Sequence, residues 1–474
     1  MTEYYFQFQF PRQVLKEVQA INEGPLLKSE SGNVRDLREL LWSSIDNVES
    51  LDLDQLEYCE RGQNREIMVK VAIADVDLFV PKKSRTDEYA AQNGTSVYTG
   101  VETFPMLPER LSTDLTSLRV SVDRMAVIVE FVVLSDGNVR KGNIYRALVR
   151  NKAKLIYDEI GDWLEEKTAI PSSVHEIAGL EEQLRLQDEA AHRLRKFRIE
   201  QGALELDTIE ARPVIRDETI AALIVPRTNK ARYIIENFMI AANVEMIGFL
   251  EKAGIAVIQR VVRTPKNWQG IRDVAAAYSE NLPSEPDSKA LSQFLIRRKE
   301  ADPERFPDLS LTIVKLLGPG EYMMLEPGKL SYGHFGLAVA DYTHGTAPNR
   351  RYVDIIMQRL LKAVLNKRPS PYSKEELAKQ SDRCTQRDKA SKKVERFMRK
   401  AEAAVLLNGR IGESFEAIVT GVSEHGTFVR IISPPVEGRI MWGEEGLTVG
   451  QKVNVRLTGM NAYKGHIDFE VQDK

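Results

Sequence analysis

The sequence predicts an α+β protein of several domains: a short helical module, a large mixed α/β domain, and a small β-barrel at the carboxyl terminus. Three observations support this prediction. The chain has 474 residues, too many for one hydrophobic core. Strand-like and helix-like patterns alternate between residues 66 and 407. After Gly409, only short strand-like segments separated by glycines follow.

Residues 1–44 carry two helix candidates. Pro11 precedes the first, and Asn33 is placed to cap the second. The pattern predicts a small helical module. A winged-helix-like nucleic-acid module is an alternative, although the connection of roughly ten residues is long for a helix-turn-helix. The apolar residues expected to face inward are Val14, Leu15, Val18 and Ile21 in the first helix, and Val34, Leu37, Leu40 and Leu41 in the second.

Residues 45–400 are predicted to form the mixed α/β domain. Apolar residues alternate between Ile67 and Ile73, which indicates a half-buried strand. The turn signal Asp136-Gly137-Asn138 predicts a hairpin between strands at 125–134 and 144–149. The charged segment from Pro283 to Pro307 is interrupted by prolines, so we expect it on the surface. Helices are predicted at 155–200, 229–252, from about Pro348, and at 374–407.

Residues 410–474 are predicted to form a five-stranded barrel of about 65 residues. Phe415, His425 and Phe428 are placed as residues that stack on nucleic-acid bases would be. The alternative is that such aromatic residues belong to the core of the barrel. The segments that predict strands are 415–421, 427–432, 452–457 and 466–471.

The composition narrows the class of protein. Hydrophobic residues make up 43% and charged residues 28%, as in soluble globular proteins. Only two cysteines, Cys59 and Cys384, are present, which favours a reducing compartment and a cytoplasmic protein. The sequence shows no signal peptide and no membrane helix. The net charge is −3, yet residues 383–400 contain eight Lys or Arg and two acids. That cluster is either a solvated helix face or a phosphate-binding surface.

A cluster of carboxylates, Asp46, Asp52 and Asp54, suggests a metal site. Asp52 and Asp54 are two residues apart, so on an extended segment they leave the same face. Asp46 reaches the same point if the polar residues 47–50 form a loop. Converging carboxylates repel each other unless a cation lies between them, and hard divalent cations prefer oxygen ligands. A solvated acidic loop is the alternative.

Four motifs in this order resemble those of the RNase II family of exoribonucleases, in which an RNB catalytic domain precedes an OB-fold RNA-binding domain. The resemblance covers residues 41–474. The motifs are the aspartates at 46–54, Ile73-Ala74-Asp75-Val76, the segment from Pro105 to Ser112, and the segment from Tyr342 to Asp354.

The resemblance implies a hydrolase that removes nucleotides from the 3′ ends of single-stranded RNA and releases 5′-monophosphates. It implies Mg²⁺, or Mn²⁺, held by Asp46, Asp52 and Asp54, with Asp54 essential for chemistry. Two such ions can activate water and neutralise charge on the phosphate. The family pattern has a fourth aspartate where this chain has Gln55. An amide oxygen can ligate Mg²⁺ but brings no charge, so a catalytically impaired RNA-binding relative is the alternative function.

The metal-site acids have possible substitutes nearby, although a structural or surface role is the alternative for each. They are Glu49, Glu57, Asp75 and Asp77.

The resemblance also implies roles for residues outside the acidic cluster. Arg350 is expected to hold the scissile phosphate, with pairing to Asp354 as the alternative. Arg351 is a phosphate contact or one partner of a helix-terminal ion pair. His334 and His344 are expected to fix the backbone near the site. The expected RNA-binding residues are Tyr98 and Tyr157, whose alternative is simple burial, and Glu395, whose alternative is an intrahelical salt bridge.

Family members often carry two cold-shock-type barrels before the catalytic domain. About 40 residues precede Asp46 in this sequence, too few for two barrels. We therefore expect the carboxy-terminal barrel and the helical module to form the RNA entrance, and a monomer that does not bind membranes.

Overall fold

A computed structural model describes residues 1–24, 34–207, 211–217, 219–263, 265–423 and 426–473. The mixed domain is built on a seven-stranded sheet in the order β1-β8-β7-β4-β3-β2-β9. Its centre is antiparallel, whereas β1 pairs with β8 and β2 pairs with β9 in parallel. The strands are β1 (Val34–Asp36), β2 (Ser43–Asp46), β3 (Gln55–Arg61), β4 (Ile67–Ala74), β7 (Asp123–Val133), β8 (Val139–Arg150) and β9 (Ala153–Ile156), and a separate hairpin comprises β5 (Val97–Tyr98) and β6 (Thr103–Phe104).

The strand predicted at residues 67–73 is confirmed as β4, at the centre of the sheet, but both of its faces are buried, so the expected half-burial is wrong. Ile67, Val69, Val71 and Ile73 are fully buried, because β3 and β7 pair with β4 on both sides and helices cover the sheet. The hairpin predicted around Gly137 is confirmed as β7 and β8. The sheet therefore supplies the rigid frame that carries the acidic cluster at the ends of β2 and β3.

Helices surround the sheet and follow the predicted segments. The long helix α6 begins after Asn229, whose side chain accepts a hydrogen bond from the Arg232 backbone N–H and caps the helix. Phe238 of this helix packs edge-on against Phe131 of the sheet. The helices are α1 (Arg12–Gln19), α2 (Arg85–Asn93), α3 (Tyr157–Leu164), α4 (Ser172–His175), α5 (Leu180–Glu200), α6 (Lys230–Lys252), α7 (Trp268–Ala277), α8 (Ser288–Ala301), α9 (Phe306–Leu317), α10 (Tyr352–Leu365) and α11 (Lys374–Leu406).

By length and composition, α6 is apolar enough to cross a membrane, and within the described ranges no other helix is. However, 72% of its most apolar window is buried inside the protein. A helix buried in this way has the pattern of a core helix.

The second helix predicted for the amino-terminal module is wrong. Residues 34–36 form β1, which pairs in parallel with residues 146–148 of β8. The apolar residues predicted to form a helical stripe instead belong to a strand and a turn. In this turn the Trp42 indole donates a hydrogen bond to the Leu37 carbonyl at 2.8 Å. Pairing with a distant strand thus overrides the local pattern. Since β1 and β2 belong to the sheet, we propose that the mixed domain begins at residue 34 rather than 45.

The segment between Pro283 and Pro307 does not simply lie on the surface. It contains α8, and Leu291, Phe294 and Leu295 of that helix are buried in a separate core with α7 and α9. The flanking prolines lie outside the helix, so they delimit it rather than prevent it.

Two further pairs of strands lie outside the main sheet. They are β10 (Arg212–Arg216) with β11 (Thr219–Ile224), and β12 (Val257–Val261) with β13 (Glu321–Leu325).

The carboxy-terminal barrel is confirmed as a closed five-stranded barrel in the order β14-β15-β16-β18-β17. It is anchored to the mixed domain in two ways. Ala403, Ala404 and Leu407, at the end of α11, pack into the barrel core. Arg430 donates to both carboxylate oxygens of Asp308 in α9, at 2.7 and 3.1 Å. The strands are β14 (Ser414–Ser423), β15 (Gly426–Ile431), β16 (Val436–Trp442), β17 (Lys452–Asn461) and β18 (His466–Asp473).

Candidate functional site

The acidic loop between β2 and β3 is held in place by hydrogen bonds at both ends. The Ser50 hydroxyl donates to Asp46 Oδ1 at 2.8 Å, which closes the polar stretch into the predicted loop. Lys154 Nζ donates to the Val48 and Ser50 carbonyls at 2.8 and 2.6 Å. The Ser117 hydroxyl donates to the Leu51 carbonyl at 2.7 Å. The loop is therefore fixed by its neighbours rather than freely solvated.

Asp54 lies at the centre of the site and is only 3% exposed. Its Oδ1 accepts a hydrogen bond from the Asn349 backbone N–H at 2.9 Å, and Arg350 Nε is 3.9 Å from its Oδ2. Burial raises the pKa of Asp54 well above its usual value; the charge of Asp52 raises it further, and Arg350 opposes both. The two distant motifs, residues 46–54 and 342–354, therefore meet at this carboxylate.

Asp52 is half-buried beside Asp54. Burial raises the pKa of Asp52, and the charge of Asp46 adds to the effect, whereas Arg350 and a hydrogen bond with Tyr98 oppose it. The charge of Asp46 thus acts on Asp52, and the charge of Asp52 acts on Asp54. A cation between them would relieve this mutual repulsion.

The residues predicted as metal ligands have the oxygen atoms that a divalent cation prefers, but their side chains are not grouped around one point. Among residues 1–24, 34–207 and the later described ranges, no three His, Cys, Asp or Glu side chains are grouped so as to hold a metal ion. Carboxylate oxygens with raised pKa values and an amide oxygen at Gln55 are the donors that Mg²⁺ or Mn²⁺ accepts. Binding would have to draw the carboxylates together.

The two neighbouring arginines of the site differ in their environment. The Arg350 side chain is 47% exposed and points toward Asp54. Arg351 donates to both oxygens of the fully buried Asp354, at 2.9 and 2.8 Å. Asp354 therefore pairs with Arg351 and not with Arg350. For Arg351 this arrangement favours the ion-pair interpretation over phosphate contact.

Both predicted tyrosines lie beside the carboxylates. Tyr98 is 39% exposed, and Asp52, Asp54 and Arg350 act on its hydroxyl; burial of that hydroxyl raises the pKa of Tyr98. Tyr157 follows β9, next to Asp46, and its ring is covered by the Arg232 guanidinium at 4.4 Å from the ring centroid. The exposed ring of Tyr98 is thus available for stacking, whereas one face of Tyr157 already has a cation partner.

The histidines have structural contacts. His344 Nδ1 and the Tyr322 hydroxyl are 2.7 Å apart, and His334 accepts a hydrogen bond from the Leu337 backbone N–H at 3.2 Å. Burial lowers the pKa of His334 to about 4, and burial also lowers the pKa of His344 well below its usual value. Both rings are neutral near pH 7 and hold loop segments, as expected from the sequence.

Three of the remaining RNA-binding candidates lie on α11 and in the barrel. Glu395 accepts a hydrogen bond from Ser391 on α11 at 2.7 Å. Phe428 is half-buried on β15. Phe415 is 8% exposed and packs against Phe469 in the barrel core. The core alternative therefore holds for Phe415, and we do not retain it as a stacking residue. His425 lies outside the described residues.

Asp75 and Asp77 are structural. Asp75 pairs with Arg146 at 2.7 Å and with Lys362 at 3.0 Å, and Asp77 pairs with Lys362 at 2.9 Å and with Arg359 at 2.7 Å. These pairs join the sheet to α10, so neither acid substitutes for a metal ligand. Glu49 is exposed.

Sequence reasoning missed the environment of Glu57. It is fully buried in β3; burial raises the pKa of Glu57, and the charge of Asp46 raises it further. One side of β3 carries Gln55, Glu57 and Arg61 with a single cysteine, Cys59, and this mostly polar composition indicates a side that faces solvent. No signal in the strand itself shows that helices cover that side.

Two family profiles match the chain. The one described as "RNB domain" matches residues 34–367, and the one described as "RNase II-type exonuclease C-terminal S1 domain" matches residues 413–472. Ribonuclease R of Aquifex aeolicus is 30% identical over 505 residues, covering 100% of this chain and 69% of its own length. The chain spans about three-fifths of the length of most of the curated relatives it matches.

Solved structures share the fold. The apo form of Mycoplasma genitalium RNase R has a TM-score of 0.89 at 22% identity, covering 100% of this chain and 77% of that chain. The same protein has been solved with ribose methylated single-stranded RNA and with double-stranded RNA. Yeast Ssd1, described as a pseudonuclease, has a TM-score of 0.68 at 16% identity, covering 89% of this chain and 52% of that chain.

Proposed function

Because the chain belongs to the RNB-domain family of RNase II-type exoribonucleases, we propose that it hydrolyses single-stranded RNA from the 3′ end and releases 5′-mononucleotides. The observation that carries the proposal is the meeting of Asp54 and Arg350, a buried carboxylate and an exposed guanidinium, beside the exposed ring of Tyr98. This arrangement offers a cation-binding acid, a phosphate-binding base and a stacking surface at one point.

In the proposed mechanism, Asp46, Asp52, Asp54 and Gln55 would hold two divalent cations. When bound, Mg²⁺ or Mn²⁺ supplies a nucleophilic water and positive charge at the phosphate. Arg350 would donate to the scissile phosphate and stabilise the charge that develops on it. Tyr98 would stack on the terminal nucleotide, with Tyr157 and Glu395 as further contacts. Asn349, through its backbone N–H, holds Asp54 in position.

We further propose 3′ ends of single-stranded RNA as the partner, a monomeric state and a cytoplasmic location. The Mycoplasma genitalium relative in complex with RNA supports the first point. Recognition of successive bases would be sequence-tolerant, because stacking does not read base edges. Phe428 and His425 of the barrel are proposed contacts for the upstream strand.

A second candidate function is RNA binding without hydrolysis. Two observations favour it: the neutral Gln55 lies beside the three aspartates, and the fold is shared with a protein described as a pseudonuclease. Such a protein would bind RNA along the same surface and regulate it instead of degrading it.

One assay separates the two functions. The protein is incubated with a 5′-labelled oligoribonucleotide and Mg²⁺, beside Asp54→Asn and the matched control Glu49→Gln, which changes an exposed acid of the same loop. We expect stepwise shortening and mononucleotide release by the wild type and Glu49→Gln, and none by Asp54→Asn. Asparagine keeps an oxygen that accepts from the Asn349 N–H, so the variant should fold. Binding without shortening by the wild type would favour the second function.

A DNA oligonucleotide of the same sequence tests the substrate class. We expect it to resist degradation, because the 2′-hydroxyl distinguishes RNA from DNA. Equal degradation of DNA would contradict the proposed substrate.

A further inference from the structure

Glu57 is a buried acid without a partner. Its side chain is fully buried, and neither carboxylate oxygen has a hydrogen-bond partner within the described part of the chain. Ser43, its cross-strand neighbour on β2, is also fully buried, and its hydroxyl is equally unpartnered there. Burying an unpaired carboxyl group is costly, so a group of this kind indicates a missing ligand.

The position of Glu57 connects it to the acidic loop. It lies two residues after Gln55 on β3, so both side chains leave the same face of the strand. The charge of Asp46 acts on Glu57, and the charges of both acids act on the hydroxyl of Tyr157. Glu57 therefore shares one face of the sheet with Gln55 and Ser43, and Asp46 lies at the end of the adjacent strand β2.

The basic side chains around this end of the site are engaged elsewhere. Lys154 binds the carbonyls of the acidic loop. Arg232 covers the ring of Tyr157 and is 3.7 Å from Asp158. Arg350 points toward Asp54. Among the ion pairs of the described residues, none includes Glu57. Within the described residues Glu57 thus has neither a hydrogen-bond partner nor a cation partner, and a bound cation would supply one.

We propose that Glu57 is a ligand of a divalent cation that binds beside Asp46, together with the amide oxygen of Gln55. The existence of the cation follows from the proposed function, and Glu57 is an additional ligand for that cation. A hard cation accepts carboxylate and amide oxygens, and two acids with one amide would offset its charge. Glutamate has one methylene more than aspartate, so rotation of its side chain allows the approach that cation binding requires.

The first test measures Mn²⁺ affinity by electron paramagnetic resonance in the absence of RNA. Glu57→Gln keeps the shape of the side chain and removes its charge, and Glu49→Gln is the matched control. We expect Glu57→Gln to bind Mn²⁺ at least about tenfold more weakly than the wild type, as the loss of a site residue typically does. We expect no change in Glu49→Gln. Adding Gln55→Asp to Glu57→Gln should restore most of the affinity.

Thermal unfolding separates ligation from a purely structural role. In EDTA, Glu57→Gln should be at least as stable as the wild type, because it removes an unpaired buried acid. Its rise in Tm on adding Mg²⁺ should be smaller. An unchanged Mn²⁺ affinity with an unchanged Mg²⁺-induced rise would overturn the proposal and identify Glu57 as a neutral acid solvated by buried water.

A manganese-soaked crystal of the wild-type protein tests the proposal without any variant. We expect anomalous density about 2.1 Å from a Glu57 carboxylate oxygen, the distance typical of small divalent cations. Density that leaves Glu57 out would overturn the assignment. If Mn²⁺ binds through Glu57 but RNA is not shortened, only the proposed hydrolysis fails. If RNA is shortened and Glu57→Gln binds Mn²⁺ normally, only the ligand assignment fails.

Discussion

Arg350 and Arg351 are adjacent but have different roles, because their side chains leave the backbone in different directions. Arg350 is half-exposed and approaches the buried Asp54, whereas Arg351 is committed to Asp354. Asp354 also accepts a hydrogen bond from the Ala347 backbone N–H at 2.7 Å, so it fixes the turn that precedes α10. Arg351 thus holds the turn in shape, and the turn presents Arg350 and the Asn349 N–H to the site.

The first prediction contrasts these two arginines. Arg351→Ala leaves Asp354 buried and unpaired, so we expect it to lower the free energy of unfolding by about 3–5 kcal/mol. Arg350→Ala removes an exposed side chain, and we expect a change within about 0.5 kcal/mol. Urea unfolding of both variants measures the difference.

The substitutions of Arg350 and Arg351 are also expected to differ in their effect on RNA shortening. Arg350→Ala should lower kcat for RNA shortening by about 10²–10³-fold, as loss of a charge-stabilising donor does. A large loss of stability in Arg350→Ala, or full activity in that variant, would contradict the assigned roles.

Glu402 of α11 is a second buried acid, and it lies where this helix contacts the β5–β6 hairpin. It is 2% exposed, it lies against Gly100 in the turn of the β5–β6 hairpin, and its oxygens are unpartnered within the described residues. Burial raises the pKa of Glu402 to about 7, and the charge of Arg399 opposes the shift. This hairpin carries Tyr98, so the packing of α11 against it helps position the exposed ring of the site.

The second prediction concerns pH. Because the pKa of Glu402 is higher in the folded than in the unfolded state, the unfolded chain releases this proton first as pH rises. The wild type should therefore lose stability between about pH 4.5 and pH 7, by about 3 kcal/mol relative to Glu402→Gln. Chemical denaturation of both proteins at several pH values measures the gap, and parallel curves would contradict the prediction.

Elements with a strong local pattern were predictable from the sequence, and those formed by distant pairing were not. The sequences of the central strand β4 and of the barrel strands show the alternation of side chains that is typical of β-strands. Residues 34–36 became a strand only because β8 offers an edge to pair with. In the site, the spacing of Asp52 and Asp54 predicted that these two acids are neighbours, and the charge of Asp52 does act on Asp54. Packing between distant segments determines which arginine is exposed and that Phe415 and Glu57 are buried. No local pattern contains this information.

At the scale of the molecule, the contacts that attach the barrel to the mixed domain include a buried ion pair, the end of α11 and the packing of Leu223 of β11 against the barrel core. Both oxygens of Asp308 accept from Arg430, and the two side chains are 5% and 13% exposed. A neighbouring pair, Lys452 with Glu304 at 3.1 Å, is largely exposed and contributes little. We therefore expect the Arg430 pair to contribute more than the Lys452 pair to the orientation of the barrel.

The third prediction tests that contact. Arg430→Ala should make the chain between α11 and β14 more susceptible to limited proteolysis, because Asp308 is left buried and unpaired. Affinity for long RNA should fall more than affinity for a short oligonucleotide that occupies only the acidic loop. Lys452→Ala is the matched control and should behave as the wild type. Equal behaviour of the two variants would show that the ion pair does not orient the barrel.

The helix α11 is a single unbroken rod of 33 residues, about 50 Å long. Its first half contributes Leu377 and Cys384 to the core of the mixed domain, and its last turn is embedded in the barrel. Because α11 is fixed in both cores, a tilt of the barrel would also displace the first half of this helix. If the barrel holds RNA as proposed, tension on that RNA would therefore reach the mixed domain through α11.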